Sequence, residues 1–117
     1  MIYWYQQLYM DETVSERPNR CKKRVEECYR DWKKTVRLWK GSYYIVALAA
    51  NPENLFDIME CKQMFFRHYQ SQDFYIVGLT STREAAIDVV QTIIQEKLAL
   101  DEKADLHHIF RKEDFEK

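Results

Sequence analysis

Two segments of the sequence decide the expected fold, YYIVALAANPENLFDIM (residues 43–59) and FYIVGLTSTREAAIDVV (residues 74–90), and they repeat one pattern 31 residues apart. Each begins with a short run of β-branched and aromatic residues, which is typical of a strand buried on both faces. Each run is followed by signals for a helix start. Asn51 precedes a proline in the first segment, and Ser81 and Glu84 have capping-box spacing in the second. The repeat therefore predicts two tandem β-α units.

The order of the predicted elements indicates an α/β fold. We expect residues 43–73 and 74–100 to be the repeated units, because a strand, a crossover helix and a further strand normally give parallel neighbours. We expect residues 1–42 to form a strand plus a basic amphipathic helix, and residues 101–117 to form a tail or a short extra strand. The sequence thus predicts a single compact α/β domain over 1–117, arranged βαβαβα, with a small mostly parallel sheet covered by amphipathic helices. A first strand at an antiparallel edge is the alternative left open.

The N-terminal part of the chain shows both strand and helix periodicity. In the predicted strand, apolar residues and tyrosines alternate, with Ile2, Trp4, Leu8 and Met10 on one face and Tyr3, Tyr5 and Tyr9 on the other. A polar stretch containing a proline follows and predicts a turn and a helix entry. The next helix is expected to have one apolar face, formed by Cys21, Val25, Cys28, Tyr29, Trp32, Val36 and Trp39.

The charge of the chain is unevenly distributed, although the net charge is only −1. Residues 16–40 contain ten basic and four acidic side chains, a net charge of +6, whereas the remainder contains eight basic and fifteen acidic ones, a net charge of −7. An asymmetry of this size indicates a charged partner or a second copy of the chain.

The leading functional hypothesis is association through a basic and aromatic surface. We expect a small non-enzymatic association or accessory protein, acting as a homodimer or with another protein, because exposed tyrosines beside a charge gradient are typical of an interface. The candidate interaction surface comprises Lys22, Lys23, Arg24, Arg30, Lys33, Lys34, Arg37, Tyr3, Tyr5 and Tyr9.

Two other functions are compatible with the same sequence. The basic helix of residues 17–40 could contact phosphates in a nucleic-acid-associated protein. Alternatively, a small anionic ligand could bind, or an enzyme could act, at the C-terminal ends of the strands. There the Asn51 and Ser81–Thr82 regions would present free backbone N–H groups at one shared edge. Neither loop has the glycines of a nucleotide-binding loop, and Gly78 inside the second strand is predicted to permit close packing of a helix.

Metal binding has little support from residue spacing. Cys21 and Cys28 are seven residues apart, as are Cys61 and His68. On a helix, that separation is about 10 Å along the axis, which is too far for one zinc ion. We therefore expect no metal and interpret the cysteines as small core residues with reduced thiols.

Catalytic and targeting motifs are also missing from the sequence. It contains no G-x-S-x-G motif, so we predict no catalytic residue, no cofactor and no enzymatic activity. The longest nearly unbroken apolar run, residues 43–50, is much shorter than the roughly 20 residues that cross a membrane. No signal-peptide pattern opens the chain, and we expect a cytoplasmic protein with no membrane partner.

The two repeated segments, YYIVALAANPENLFDIM and FYIVGLTSTREAAIDVV, resemble stretches of small uncharacterised proteins from anaerobic Gram-positive bacteria. The resemblance covers roughly residues 43–98. It implies two β-α units of bacterial origin and brings with it no activity, no cofactor and no catalytic residue.

Overall fold

A computed structural model describes residues 1–30, 43–49, 55–61, 73–98 and 110–116 of the chain. Several predicted residues lie outside this part. They include Lys33, Lys34 and Arg37 of the basic helix, and the Asn51 region.

The described elements form a sheet with helices on both faces. In chain order they are β1 (Ile2–Met10), α1 (Glu12–Glu16), α2 (Pro18–Arg30), β2 (Tyr44–Leu48), β3 (Phe56–Glu60), β4 (Phe74–Thr80), α3 (Arg83–Ile93), a π-helical turn (Ile94–Leu98), a 3-10 turn (Lys112–Asp114) and β5 (Phe115–Glu116). The five strands lie in the order β3-β2-β4-β1-β5.

The prediction of a mostly parallel sheet is wrong. Only β1 and β4 are parallel, whereas β2 is antiparallel to both β3 and β4, and β5 is antiparallel to β1. The two repeated strands are therefore neighbours that run in opposite directions, with Tyr44 opposite Thr80. The alternative for the first strand is wrong as well, because β1 lies between β4 and β5 and runs parallel to β4.

The strand directions were predicted wrongly because β3 forms where the first repeat was expected to contain a helix. The chain leaves β2 and returns as a strand, with Leu48 opposite Phe56 and the Ala49 amide donating to the Leu55 carbonyl at 3.3 Å. A hairpin of this kind is necessarily antiparallel and takes the place of a crossover helix. The βαβαβα order is thus replaced, in the described part of the chain, by β-α-α-β-β-β-α-β.

The predictions for single elements are more accurate. β1 has the expected alternation, because Ile2 and Trp4 belong to one core layer and Tyr3 and Tyr5 to the other. β2 and β4 are strands with largely buried residues, as expected. The cap of α3 is shifted by one residue from the predicted Ser81, because the Ala85 amide donates to the Thr82 hydroxyl at 3.1 Å.

Two apolar layers lie on the two faces of the sheet. The layer beneath α1 and α2 contains Ile2, Trp4, Val14, Cys21, Val25, Ile45, Met59, Cys61, Phe74, Ile76 and Leu79. The layer beneath α3 contains Tyr5, Val46, Val77, Ala86, Val89, Ile93, Phe110 and Phe115. Burial of Cys21 and Cys61 in the first layer confirms the prediction that these two are core residues.

Gly78 permits the close approach of α3 to the sheet, as predicted. A β-carbon added there would lie 2.9 Å from Val89 Cγ1 and 3.2 Å from Val46 Cβ. Real β-carbons essentially never lie as close as 2.9 Å to another atom, and Val89 is β-branched, so its side chain has little freedom to move away. The glycine therefore sets the distance between α3 and the strands β2 and β4.

Among the described residues, no helix has the length and apolar character needed to cross a bilayer.

Candidate functional site

The predicted basic residues on α2 do not form one uniform surface. Lys22 is half-buried, and its ammonium lies 5.7 Å from the centre of the Trp4 ring, within the range of a cation–π contact. Lys23 is exposed, whereas Arg24 is half-buried. Lys22 therefore makes a contact within the fold, Lys23 is exposed to solvent, and Arg24 lies half-buried beside Cys21 and Tyr43.

Arg30 and Glu26 belong to a contact that holds α2 against β1. The indole N–H of Trp4, a residue of which only 2% is exposed, donates to Glu26 Oε1 at 2.9 Å. Arg30 lies 3.7 Å from the other oxygen of the same carboxylate. Arg30 therefore has an acidic partner within the chain.

The three predicted tyrosines lie on the opposite face of the sheet from α2. Tyr3 stacks on Tyr75 with the ring centres 5.0 Å apart, and Tyr5 is buried with only 5% exposed. Tyr5 accepts a hydrogen bond of 2.8 Å from the Lys97 ammonium, which also lies 5.2 Å from the centre of the Phe110 ring. One surface cannot include both these tyrosines and the basic side of α2.

Tyr9 is the third of these tyrosines and lies beside the π-helical turn. Its hydroxyl donates to Glu96 Oε2 at 3.1 Å. Partial burial is the largest cause that raises the pKa of Tyr9 to about 12, and the hydrogen bond and the charge of Glu96 act in the same direction. This phenol therefore stays protonated at neutral pH.

The shared edge for anions expected at Asn51 and Ser81–Thr82 is not formed by the repeated strands. Because β2 and β4 are antiparallel, their C-terminal ends lie at opposite ends of the sheet along the strand direction. The position at Ser81 is filled from within the chain, since its amide and hydroxyl both donate to Asp11 Oδ2, at 2.8 and 2.5 Å. The Asn51 region lies outside the described residues.

A groove beside α1 and α2 brings three arginines together. It has a volume of about 260 Å³ and is lined by Thr13, Glu16, Arg17, Arg20, Cys21, Arg24 and Tyr43. Arg17 directly precedes α2, and its carbonyl accepts from the Cys21 amide at 3.1 Å. Arg20 and Arg24 are four residues apart on α2, and residues with this spacing occupy neighbouring positions along one side of a helix. Arg17 and Arg20 are exposed and Arg24 is half-buried.

The strands position the remaining side of this groove. α1 follows the end of β1, and its Thr13 lines the groove. Tyr43 comes directly before β2, whose first residue lies opposite the last residue of β4. The groove therefore lies at the edge of the sheet where the parallel strands β1 and β4 end. Ligand sites in open α/β sheets commonly lie outside the C-terminal ends of the strands.

Tyr43 and Cys21 connect the base of the groove to the core. The thiol of Cys21, a residue only 4% exposed, donates to the Tyr43 hydroxyl at 3.3 Å. This hydrogen bond is the largest cause that raises the pKa of Tyr43 to about 12, and burial is the second. The positive charges of Arg24 and Arg20 act on the same phenol in the opposite direction. Both arginines line the groove together with Tyr43.

The charge of the groove is not neutralised from within the described ranges. Among the described residues, Glu16 is the one carboxylate that lines it, and no ion pair between those residues involves Arg17, Arg20 or Arg24. Guanidinium groups bind carboxylates and phosphates through paired N–H donors. The groove is thus chemically suited to an oxyanion.

A second groove on the other side of α2 has a less selective lining. It has a volume of about 510 Å³ and is lined by Met1, Ile2, Glu26, Tyr29 and Arg30. Its two charged side chains have opposite signs and lie near each other. The amino group of Met1 adds a further positive charge, and it lies 3.4 Å from Asp73 and donates to the Tyr29 hydroxyl at 2.8 Å. The charged groups of this groove thus have partners within the chain.

Sequence analysis identified Arg24 but missed the rest of the groove. Arg17 and Arg20 were visible as members of the basic segment, and their spacing with Arg24 could have indicated a common side of the helix. Thr13 and Tyr43 had no such signal, because their positions depend on where β1 ends and β2 begins. Lys33, Lys34 and Arg37 lie outside the described part.

No group of three or more His, Cys, Asp and Glu side chains within the described ranges is arranged to hold a metal ion. Comparisons of the chain with protein-family models, with curated proteins and with solved structures found no match in any of the three.

Proposed function

We propose that this chain is a non-enzymatic association protein that recognises acidic side chains of a protein partner through the arginine groove. The observation that carries this proposal is the convergence of Arg17, Arg20 and Arg24 on one groove in which the described residues supply no ion pair. The proposal keeps the association expected from the charge asymmetry. The proposed contact with the partner lies on one side of α2, whereas the surface predicted from the sequence included the whole basic helix and the tyrosines.

Two of the other described cations of the predicted surface support this choice by contrast. Lys22 contacts the ring of Trp4, and Arg30 lies beside Glu26. Their charges are therefore used in part for internal contacts, whereas those of the groove arginines remain available to a partner. Exposed charges of this kind raise the rate of encounter with an oppositely charged partner and fix its orientation.

The described part of α2 is less suited to nucleic acid. Pro18–Arg30 carries five basic and two acidic side chains. The three arginines that line the groove lie at only one side of this helix. A backbone of regularly spaced phosphates would extend beyond the groove, whereas a short acidic peptide can bind at the groove alone. We therefore favour a protein partner.

Binding of a fluorescent oligoglutamate peptide and of duplex DNA, each over a range of salt concentrations, tests the proposal. We expect the peptide to bind with an affinity that falls as salt rises, and to lose binding when Arg17, Arg20 and Arg24 are all changed to Gln. The matched control changes the exposed Lys23, Arg83 and Lys112 to Gln. It removes the same charge, leaves the groove intact, and should bind the peptide almost as well as the original chain.

Three results would contradict the proposal. Equal loss of peptide binding in the two triple variants would show that net charge alone drives binding. DNA binding that is tighter than peptide binding, with a steep salt dependence, would favour the nucleic-acid alternative. Sedimentation of the chain as a salt-sensitive dimer that blocks peptide binding would assign the groove to a second copy. The absence of enzymatic activity and the cytoplasmic location stay predictions.

A further inference from the structure

We infer that the arginine groove selects a phosphorylated side chain of the partner over a simple carboxylate. This inference rests on the proposed function and specifies the chemistry of the group that the groove recognises.

The charge of the groove fits a dianion. Arg17, Arg20 and Arg24 contribute three positive charges, and Glu16 contributes one negative charge. A carboxylate would neutralise one guanidinium and leave an excess of positive charge in the groove. A phosphorylated side chain carries a charge of about −1.5 to −2 at neutral pH, which matches the remaining charge.

The donors of the groove fit an oxyanion with several oxygens. Each guanidinium presents N–H groups in a planar fork, and a phosphoryl group offers three acceptor oxygens, so that each arginine can bind a different one. Thr13 supplies a hydroxyl at the α1 side. Tyr43 supplies a phenol that stays protonated at neutral pH, because its pKa is about 12. A carboxylate has only two oxygens and cannot engage three arginines equally.

The dimensions of the groove favour a phosphorylated side chain over a nucleotide. A volume of about 260 Å³ holds a phosphoryl group and the stem that bears it. Tyr43 is the one aromatic residue among the described residues of the lining. Its hydroxyl accepts a hydrogen bond from the Cys21 thiol at the base of the groove. The described lining therefore offers no aromatic surface on which a base could stack.

The pH dependence of binding separates phosphate from carboxylate recognition. A phosphorylated side chain has a second pKa near 6, so its dianion becomes dominant as the pH rises from about 5.5 to about 7.5. Binding of a phosphorylated peptide should strengthen over this range. Binding of a glutamate peptide should stay nearly constant, since a glutamate carboxyl is already ionised above about pH 5.5.

The experiment compares three fluorescent peptide pools with randomised flanking residues and a fixed central phosphoserine, glutamate or serine. Fluorescence polarisation with the full chain should give at least roughly tenfold tighter binding for phosphoserine than for glutamate, from one or more additional charge-assisted hydrogen bonds. Inorganic phosphate should compete with the phosphoserine pool. Changing Arg20 to Gln should remove most of the binding, and Lys23→Gln, on the same helix but outside the groove, should leave it unchanged.

Variants at Arg24 and Tyr43 test the geometry of recognition. Arg24→Lys keeps the charge but loses the paired donors, so we expect it to weaken phosphoserine binding more than glutamate binding. Tyr43→Phe removes the phenol at the base and should reduce the selectivity for phosphoserine. Circular dichroism and thermal unfolding of each variant show whether the fold is retained.

The possible outcomes distinguish the inference from the proposed function. Equal affinity for phosphoserine and glutamate, with loss in Arg20→Gln, would overturn the phosphate selectivity and leave acidic-partner recognition standing. A flat pH profile for the phosphoserine pool would overturn the selectivity as well. Failure of all three pools and of oligoglutamate to bind the folded chain would overturn both proposals.

Discussion

Asp11 and Ser81 are joined by two hydrogen bonds across 70 residues of sequence. One carboxylate oxygen of Asp11 accepts from both the amide and the hydroxyl of Ser81, at 2.8 and 2.5 Å. The other oxygen accepts from the Val14 amide at 2.9 Å and so caps α1. Asp11 therefore fastens the end of β1 to the end of β4, the two parallel strands of the sheet.

We predict that Asp11→Ala lowers the free energy of unfolding by about 1–2 kcal/mol, the usual effect of losing an N-cap. Ser81→Ala removes only the hydroxyl and keeps the amide donor, so its effect should be smaller. Urea unfolding of both variants at neutral pH measures the difference. Equal stability of Asp11→Ala and the original chain would show that the carboxylate has no structural role.

Acid should weaken the same contact. Burial of Asp11 tends to raise the pKa of its carboxyl, but the hydrogen bonds from Ser81 and Val14 outweigh it and lower the pKa below 3.8. The contribution of Asp11 is therefore fully present above about pH 4 and is lost as the pH falls through the folded-state pKa. Asp11→Asn should show a smaller decline of unfolding free energy between pH 5 and pH 2, measured by urea unfolding at each pH.

Close packing at Gly78 gives a second prediction. In Gly78→Ala, the new β-carbon would meet Val89 at 2.9 Å, so α3 or β4 must shift. We expect a loss of about 1–3 kcal/mol in unfolding free energy, as for other overpacked cores. A second change, Val89→Ala, creates space for the added methyl group. The double variant should therefore lose less stability than the sum of the two single ones, and strict additivity would refute the packing argument.

The hydrogen bond between Trp4 and Glu26 gives a third prediction. Glu26→Ala leaves the partly buried indole N–H without its acceptor, which should cost about 1–3 kcal/mol of unfolding free energy. Glu26→Gln keeps an acceptor oxygen and should cost less. Chemical unfolding monitored by tryptophan fluorescence measures both variants. Equal losses for Ala and Gln would assign the effect to the charge of Glu26 rather than to the hydrogen bond.

Lys97 gives a fourth prediction, because it links the π-helical turn to the C-terminal segment. Its ammonium donates to the Tyr5 hydroxyl at 2.8 Å and lies 5.2 Å from the Phe110 ring centre. Lys97→Met keeps an apolar stem but loses both interactions, and we expect a loss of about 1–2 kcal/mol. Hydrogen exchange should increase mainly in residues 110–116. A uniform increase over the whole chain would contradict this local role.

Local pattern predicted single elements well in this chain. Successive residues of a strand point to opposite faces of the sheet, so Trp4 and Tyr5 could be assigned to opposite faces from the sequence alone. Gly78 could be recognised as a site of close approach because a glycine inside an apolar strand has few other roles. These predictions needed no knowledge of which strands pair.

Sheet direction could not be predicted from the same pattern. Ile58 and Met59 fit the three- and four-residue steps of a helix, but they also fit a strand buried on both faces, with Ile58 on the α3 side and Met59 on the other. A short apolar run does not separate the two periods. Once β3 is a strand, β2 and β3 form a hairpin, and the parallel crossover disappears.

The arginine groove shows the same division between local and long-range information. The spacing of Arg17, directly before α2, with Arg20 and Arg24 on α2 is visible in the sequence. Tyr43 reaches the groove only because Tyr44 lies opposite Thr80, and this register is set by the whole sheet. Sequence reasoning could therefore find the charges of the site, but not the phenol that completes it.

The parallel pairing of β1 with β4 also determines when the protein can complete its fold during synthesis. Ile2 lies opposite Phe74, whereas β2 and β3 are close in the chain and can pair early. Contacts between distant residues form slowly, because a long loop must close before they are made. Within the described part of the chain, β1 therefore gains its first strand partner only after β4 has left the ribosome, and until then its unpaired backbone groups are open to chaperones and to aggregation.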